Sequence, residues 1–387
     1  MWLCYLATLA LLPWARFPPF PWLHQNAQWS DATFLVAAGL WLVDRCRSDG
    51  WGWLRPFHAA LLAYFCAALV SLLFATPAEL KTVGAAKVLG IGELCALTAV
   101  TADLARRPGA VRGIARTVAA STILTALACA VGLLLYYTGI HNRLIGAFGD
   151  LPSSPYYARV QGAFDQPRML GGYCIFAAAV IAHGEAELPT ALRRFARASV
   201  WTAELLTFSR AVPGFLAAEW LRSARTVRAR RIAGSAAVLV GCLLLLSNYG
   251  AIRFNPVRPA EATLDFAAGS MHRDTIETAA QAIVSRPFTG TGPGTNPGWH
   301  GDFNMEAHLT PVNIAGTLGL PALLAFGALL WLLWSGRRPG DAAVWCGLAG
   351  LALDGLTGAI EDHRHMWVLL GLAAAGLAAP PRRPAED

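Results

Sequence analysis

Charge is what this chain has least of. Only 14% of its 387 residues are Asp, Glu, Lys or Arg, against 55% hydrophobic, and a soluble chain of this length would need far more polar surface. Lysine is nearly missing: Lys81 and Lys87 stand alone in a basic complement that is otherwise arginine. Eight cysteines are present, yet all lie in or beside apolar runs and none forms a Cys-x-x-Cys pair. Neither a disulfide framework nor a zinc-type cluster is implied, and packing between helices is their plain role. The two long polar segments, 138–167 and 249–310, have no Asp-rich or His-rich metal cluster. There is no internal repeat and no low-complexity tract.

What fills the chain is a succession of apolar runs near bilayer-spanning length, at 2–14, 29–43, 57–74, 83–104, 113–137, 168–183, 197–208, 211–222, 232–248, 311–334, 342–360 and 366–380. The runs are continuously apolar and do not alternate with a period of two, which argues against a β-barrel. The expected fold is all-α: a polytopic membrane helical bundle of about 12 transmembrane helices, with a long outward loop containing a short amphipathic helix. Three regions follow: spans in 1–137, a second membrane region in 138–380 that includes the loop 249–310, and a tail at 381–387. Met1 to Trp14 lacks a basic leading region and reads as a first span, not a cleaved signal. The fourteen tryptophans suit interfacial belts.

Arginine placement sets the orientation. With the N-terminus cytoplasmic, alternate loops collect Arg45, Arg47 and Arg55, then Arg106, Arg107, Arg112 and Arg116. Next come Arg193, Arg194 and Arg197, the cluster from Arg222 to Arg231, Arg337 with Arg338, and Arg382 with Arg383 in the tail. That pattern obeys the positive-inside rule. Basic clusters flank 198–221 on both sides, so an even number of crossings separates them. A helical hairpin with its tip at Ser209-Arg210 satisfies this, with arms short for a bilayer, and puts Arg210 at the depth of the outer leaflet.

Several polar residues gather on the outward side. Ser270 to Val284 has Ile276, Ala279, Ala280, Ile283 and Val284 at helical spacing, with Ser270 as N-cap. Arg273 falls beside Ile276 and Ala280 on the apolar side, where a guanidinium needs an anionic partner or a polar cavity, or else snorkels to lipid headgroups. The turn from Arg286 to Gly294 follows no strand and opens no helix, so its glycines are a weak case for nucleotide binding. Arg159, Gln161, Gln166 and Arg168 lead into a helix N-terminus, a ready anion site or a generic loop-to-helix junction. Glu306-Ala307-His308 marks the point where the long loop meets the run at 311–334. His308 there is either an interfacial histidine bonded to a carbonyl or a base. Glu204 and Asp354 are intramembrane acids, candidates for function or for bonds within the bundle. Lys87 and Glu93 share one span and could make an internal polar contact. His363 and His365 read as an interfacial polar turn.

Four stretches in order carry a family resemblance: Arg159-x-x-Gly162-x-Phe164-x-x-Pro167-x-x-Leu170-Gly171; Leu206-Thr207-Phe208-Ser209-Arg210; Arg273 through Pro287-Phe288-x-Gly290-x-Gly292; and Ala307-His308 before Gly319-Leu320-Pro321. Glu361 to Trp367 resembles the last outward turn. Over roughly 140–380 the chain resembles the O-antigen ligase and polymerase superfamily of bacterial surface-glycan glycosyltransferases, departing from its pattern at Gln166, Arg168 and Leu309. The resemblance implies a multi-pass protein of the bacterial inner membrane with its site facing the periplasm. It would transfer a glycan from undecaprenyl pyrophosphate to an acceptor hydroxyl, by inversion and without a covalent intermediate.

In that reading His308 is the general base, since an imidazole titrates near neutrality. Arg210 and Arg273 neutralise the departing pyrophosphate through guanidinium forks, and Arg159, in the substrate-binding set, is the next choice for that role. Gln161, Gln166, Arg168 and Glu306 complete the substrate-binding set. No metal or cofactor is implied. The partners are the lipid-linked donor, a lipid or glycan acceptor and the surrounding lipids, not nucleic acid. A polymerase of the same glycan and a membrane transporter of lipid-linked glycan are the alternatives.

Overall fold

The computed structural model describes residues 1–15, 27–47, 54–147, 158–224, 226–248, 252–253, 263–264, 271–295 and 306–377. The tail 381–387 and Ser270 lie outside these residues. The fold is nearly all-α. In chain order the elements are α1 (Trp2–Leu11), α2 (Trp29–Arg47), α3 (Pro56–Phe74), α4 (Lys81–Leu104), α5 (Ala110–Tyr137), β1 (Ile145–Ala147), β2 (Ala158–Val160), α6 (Pro167–His183), α7 (Thr190–Leu206), α8 (Val212–Ser223), α9 (Val227–Asn248), β3 (Ile252–Arg253), β4 (Thr263–Leu264), α10 (Met271–Ser285), α11 (Thr310–Leu318), α12 (Leu320–Ser335), α13 (Ala342–Asp354) and α14 (Arg364–Ala375). The strands form two small antiparallel pairs within the loops, β1 with β2 and β3 with β4.

Among the described residues, four helical stretches are long and apolar enough to cross a membrane: Pro56–Phe74, Ala78–Leu104, Ala110–Tyr137 and Val227–Leu246. Leu62, Leu89, Leu124, Val238, Leu324 and Trp331 are exposed on the outside of the bundle. Water would penalise so much apolar surface, and hydrocarbon would not. At the centre lies α14, where every residue from His365 to Ala374 is buried, packed on α4 and α13. Helix α6 is nearly as enclosed, packed on α5, α7 and α13. A helix apolar on all sides is one with protein on all sides.

Ion pairs sort the residues into two ends. At one end Arg45 meets Asp103, Arg107 meets Asp44, Arg112 meets Glu187, Arg193 meets Glu185, and Arg197 and Arg222 share Glu219. Arg106 joins them by donating to the carbonyls of Ala374 and Ala375. At the other end Arg364 binds Asp31, Lys87 binds Asp362, and Arg168 binds Asp354. The arginines read from the sequence as one-sided thus gather at one end. Helices α7 and α8 form the expected hairpin, with the turn 207–211 at the opposite end. Its arms diverge, α7 lying on α5 and α6 and α8 lying on α13 and α6.

Of the boundaries that differ from the sequence reading, three have a physical cause in the fold. The run 311–334 is two helices, broken at Gly319, whose φ of +86° suits only glycine. A Cβ at Gly319 would lie 2.5 Å from the carbonyl oxygen of Phe288, so the glycine turn 286–294 docks against the break. There Leu320 N–H donates to Pro287 O, and Thr291 and Gly292 donate to Gly316 O and Thr317 O. The run 342–360 ends as a helix at Asp354, because the chain turns there to receive Arg168. Helix α7 begins at Thr190, seven residues earlier than the apolar pattern, with Arg193, Arg194 and Arg197 on its first turns. Lys87 and Glu93 do not pair. Lys87 reaches Asp362 and Glu306, while Glu93 faces Asp31 and Arg364.

Candidate functional site

The hairpin turn is held from outside. Arg159, on β2, donates from Nε to Thr207 O at 2.9 Å. Thr207 Oγ1 donates to Ser209 Oγ at 3.0 Å, and Ser209 Oγ accepts from the N–H of Ala211. Phe208, between them, has φ of +45°, a strained value for a side chain this large. Such strain is retained where neighbours over-determine the backbone, as the bonds around Thr207 and Ser209 do here.

Arg168, in the first turn of α6, lies beside Arg210. Its Nη2 is 2.8 Å from Asp354 Oδ1 and its Nε is 2.9 Å from the same oxygen. It also donates to the backbone carbonyls of Asp354 and Thr357. Asp354 is fully buried, so this pair is a structural tie as well as a source of charge. A Cβ on Gly358 would overlap the guanidinium.

His308 enters from the other side. Its Nδ1 is 2.8 Å from Glu306 O. A carbonyl only accepts, so Nδ1 carries the proton and Nε2 keeps its lone pair. Burial lowers the His308 pKa, the bond to Glu306 opposes that, and Arg168 and Arg210 lower it further. His272, on α10, stands against it with ring centroids 4.4 Å apart and planes at 70°. Burial, His308, Arg210 and Arg168 bring the His272 pKa down to about 3. Its Nδ1 is buried without a hydrogen-bond partner.

The structure therefore brings together Arg159, Arg168, Arg210 and His308 from the sequence set and adds His272. Arg273 is elsewhere. Helix α10 buries Thr275, Ile276, Ala279 and Ala282 and exposes Ala280 and Val284. Arg273 thus lies on the outward side, 2.7 Å from Glu277 Oε1. Alanine told the sequence reading little about which side faces inward; His272, at the i, i+3, i+4, i+7 spacing with Thr275, Ile276 and Ala279, was the better signal. Gln161 Nε2 donates to Arg143 O, which makes it an anchor of the β1–β2 loop. Gln166 is the exposed N-cap of α6 and gives that helix no side-chain cap bond. The side chain of Glu306 turns away from His308 toward Lys87. Ala307 between them is fully buried, its N–H donating to Asn313 Oδ1 at 3.1 Å.

Beneath the site are further buried polar atoms. Glu204 is fully buried and neither of its oxygens has a hydrogen-bond partner. His363 and His365 have ring centroids 5.0 Å apart and crowd against Gly172. Burial, with Arg168 next, holds the His363 pKa near 4. His272 and His363 are thus both neutral in the fold and titrate higher when unfolded, near the usual 6.5. Their contribution to stability is complete above about pH 6.5 and is lost as pH falls toward their folded values. The thermal midpoint of the purified protein should decline steadily from pH 7 to pH 4, and less steeply once both histidines are replaced by glutamine.

Comparison with family models, with curated proteins and with solved structures yields no match. Among the described residues, no group of three or more His, Cys, Asp or Glu side chains is arranged to hold a metal ion.

Proposed function

We propose that this chain is a membrane glycosyltransferase that moves a glycan from undecaprenyl pyrophosphate to an acceptor hydroxyl at the periplasmic face of the bacterial inner membrane. One observation carries the reading: at the end of the bundle opposite the other arginine clusters, Arg168 and Arg210, with Arg159 near Arg210, act on a histidine whose Nδ1 is held by Glu306 O. Breaking a sugar C1–O bond leaves charge on a diphosphate, which guanidinium groups fixed in advance stabilise. The acceptor oxygen attacks C1 as its proton passes to His308 Nε2, and the electron pair of the broken bond leaves on the pyrophosphate. Arg168, already committed to Asp354, sets the field of the site. Arg210, on the strained turn, supplies the fork to the phosphate oxygens.

Glu204 favours a second reading, a proton-coupled transporter of the lipid-linked glycan, since a buried acid without a partner is a familiar ion-path element. Proteoliposomes given labelled lipid-linked glycan and an acceptor separate the two. The transferase reading requires label covalently joined to the acceptor, and movement of label across the bilayer without transfer would overturn it.

Orientation has its own test. The turn residue Ser209 is buried, whereas Phe208 is 40% exposed, so the probe belongs at Phe208. With the native cysteines replaced, cysteines at Phe208 and Thr295 should react with an impermeant thiol reagent from outside and one at Ser223 should not. Labelling at Ser223 but not at Phe208 would invert the topology.

A further inference from the structure

The segment Glu306-Ala307-His308 has two sides. His308 faces the arginines, and Glu306 faces a small cavity of about 20 Å³ at the ends of α3, α4 and α11. Three carboxylates, Glu306, Glu361 and Asp362, line that cavity with a single cation, Lys87. Lys87 is paired to Asp362 and lies 3.7 Å from Glu306. Glu361 is 5% exposed; its Oε1 accepts from Asn313 Nδ2, and its Oε2 has no partner at all. Two threonines complete the wall. Thr317 Oγ1 gives its hydrogen to Asn313 O, which leaves its oxygen as an acceptor, while Thr295 Oγ1 is tied to Gly292 O and Thr291 Oγ1. Among the described residues that line it, the cavity thus offers more acceptors than donors, Tyr64 and Asn313 being the neutral donors, and its acids outnumber its cation.

We infer that this cavity is a binding site for a primary ammonium group. A –NH3⁺ head is about the size of a water molecule, which fits a space of this volume, and its three N–H bonds match oxygens on Glu361, Glu306 and Thr317. A trimethylated ammonium is too large and has nothing to donate. Among the described residues no group of side chains is arranged to hold a metal ion, and the unpartnered oxygen of Glu361 is an acceptor for an N–H. The site stands independently of the transferase reading. If that reading also holds, the ammonium belongs to the acceptor, because the cavity and His308 lie back to back on one three-residue strip.

The facing groups give the site a pH signature. Burial, with Asp362 and Glu306 adding to it and Lys87 opposing, raises the Glu361 pKa to about 8. An ammonium group binds best when Glu361 is ionised, so binding strengthens as pH rises from 7 toward 9. The titratable groups that face one another here are Tyr64 on α3, Lys87 on α4, Glu306 before α11, and Glu361 and Asp362 before α14.

The test is thermal unfolding of the full-length protein in detergent, with no glycan present. Ammonium chloride should raise the midpoint by about 2 °C or more at saturation, more at pH 8.5 than at pH 7. Tetramethylammonium chloride at the same ionic strength should not. Glu361→Gln should abolish the response, and Thr317→Val, which changes no charge, should weaken it several-fold in half-saturating concentration. Glucosamine and phosphoethanolamine in place of ammonium then tell a sugar-borne amine from a headgroup amine. Equal stabilisation by potassium would make this a plain cation site, and no response to ammonium would leave it a water pocket; either result overturns the inference. Neither touches the transferase reading, whose own test is covalent transfer.

Discussion

His308→Gln should lose glycan transfer by about 10²- to 10⁴-fold, the range a positioned general base supplies, while binding of the lipid-linked donor stays close to that of the parent. Glutamine can still hydrogen-bond an acceptor hydroxyl, but it cannot take its proton near neutrality. Donor affinity comes from the arginines, so a binding assay on the variant separates lost chemistry from lost folding. The pH profile carries a second signature. The base works deprotonated, so kcat/KM falls as pH drops through the His308 pKa in the free protein. Burial, Arg168 and Arg210 lower that pKa, so the acid limb should lie below the ordinary value of about 6.5. Transfer by the glutamine variant at the parental rate would rule out proton abstraction at this residue and make the turn from Glu361 to His365 the next place to look.

The second large effect is at Arg210. Arg210→Lys should cut transfer by about 10²-fold or more, because a point charge on a flexible stem does not reproduce a fork aimed at two phosphate oxygens. Arg273→Lys should cost less than about 10-fold, since Arg273 is on the outward side of α10 and bound to Glu277. The pair of variants decides between the sequence reading, which gave both arginines the same task, and the structure, which separates them. A lysine at 210 that supports full transfer would remove this residue from the site. Greater sensitivity at 273 than at 210 would mean that α10 rotates when the donor binds.

Much of the fold was legible because apolar runs and arginine asymmetry are properties of the chain taken one segment at a time. The hairpin at 198–221 followed from arginine on both flanks, and His308 followed from its place where loop meets span. Other features depended on partners far off in sequence. No local pattern shows that Arg168 ends at Asp354, or that a glycine turn at 286–294 presses into α11 and breaks the run 311–334 at Gly319. On α10 the expected apolar face is half right: Ile276 and Ala279 are buried, but Ala280 and Val284 are exposed, because they count as apolar whether they face protein or hydrocarbon. A hydropathy scale cannot distinguish those two environments; the neighbouring histidine could.

The pairing of Lys87 with Asp362 has a consequence for how the protein is made. The two are 275 residues apart in sequence, and at the usual rate of synthesis roughly 15 to 55 s separate their emergence. For that interval the Lys87 ammonium on α4 lacks the carboxylates it pairs with in the fold, in a helix that is mostly apolar. Glu306, its second carboxylate, also comes late. Until the turn before α14 arrives, α4 is stable only at a wet boundary, beside the insertion machinery or at the bilayer edge, so a late segment is the one that lets an early helix settle. A chain cut short before Asp362 would therefore leave α4 unsettled, and its quickest symptom would be degradation, ahead of any loss of chemistry.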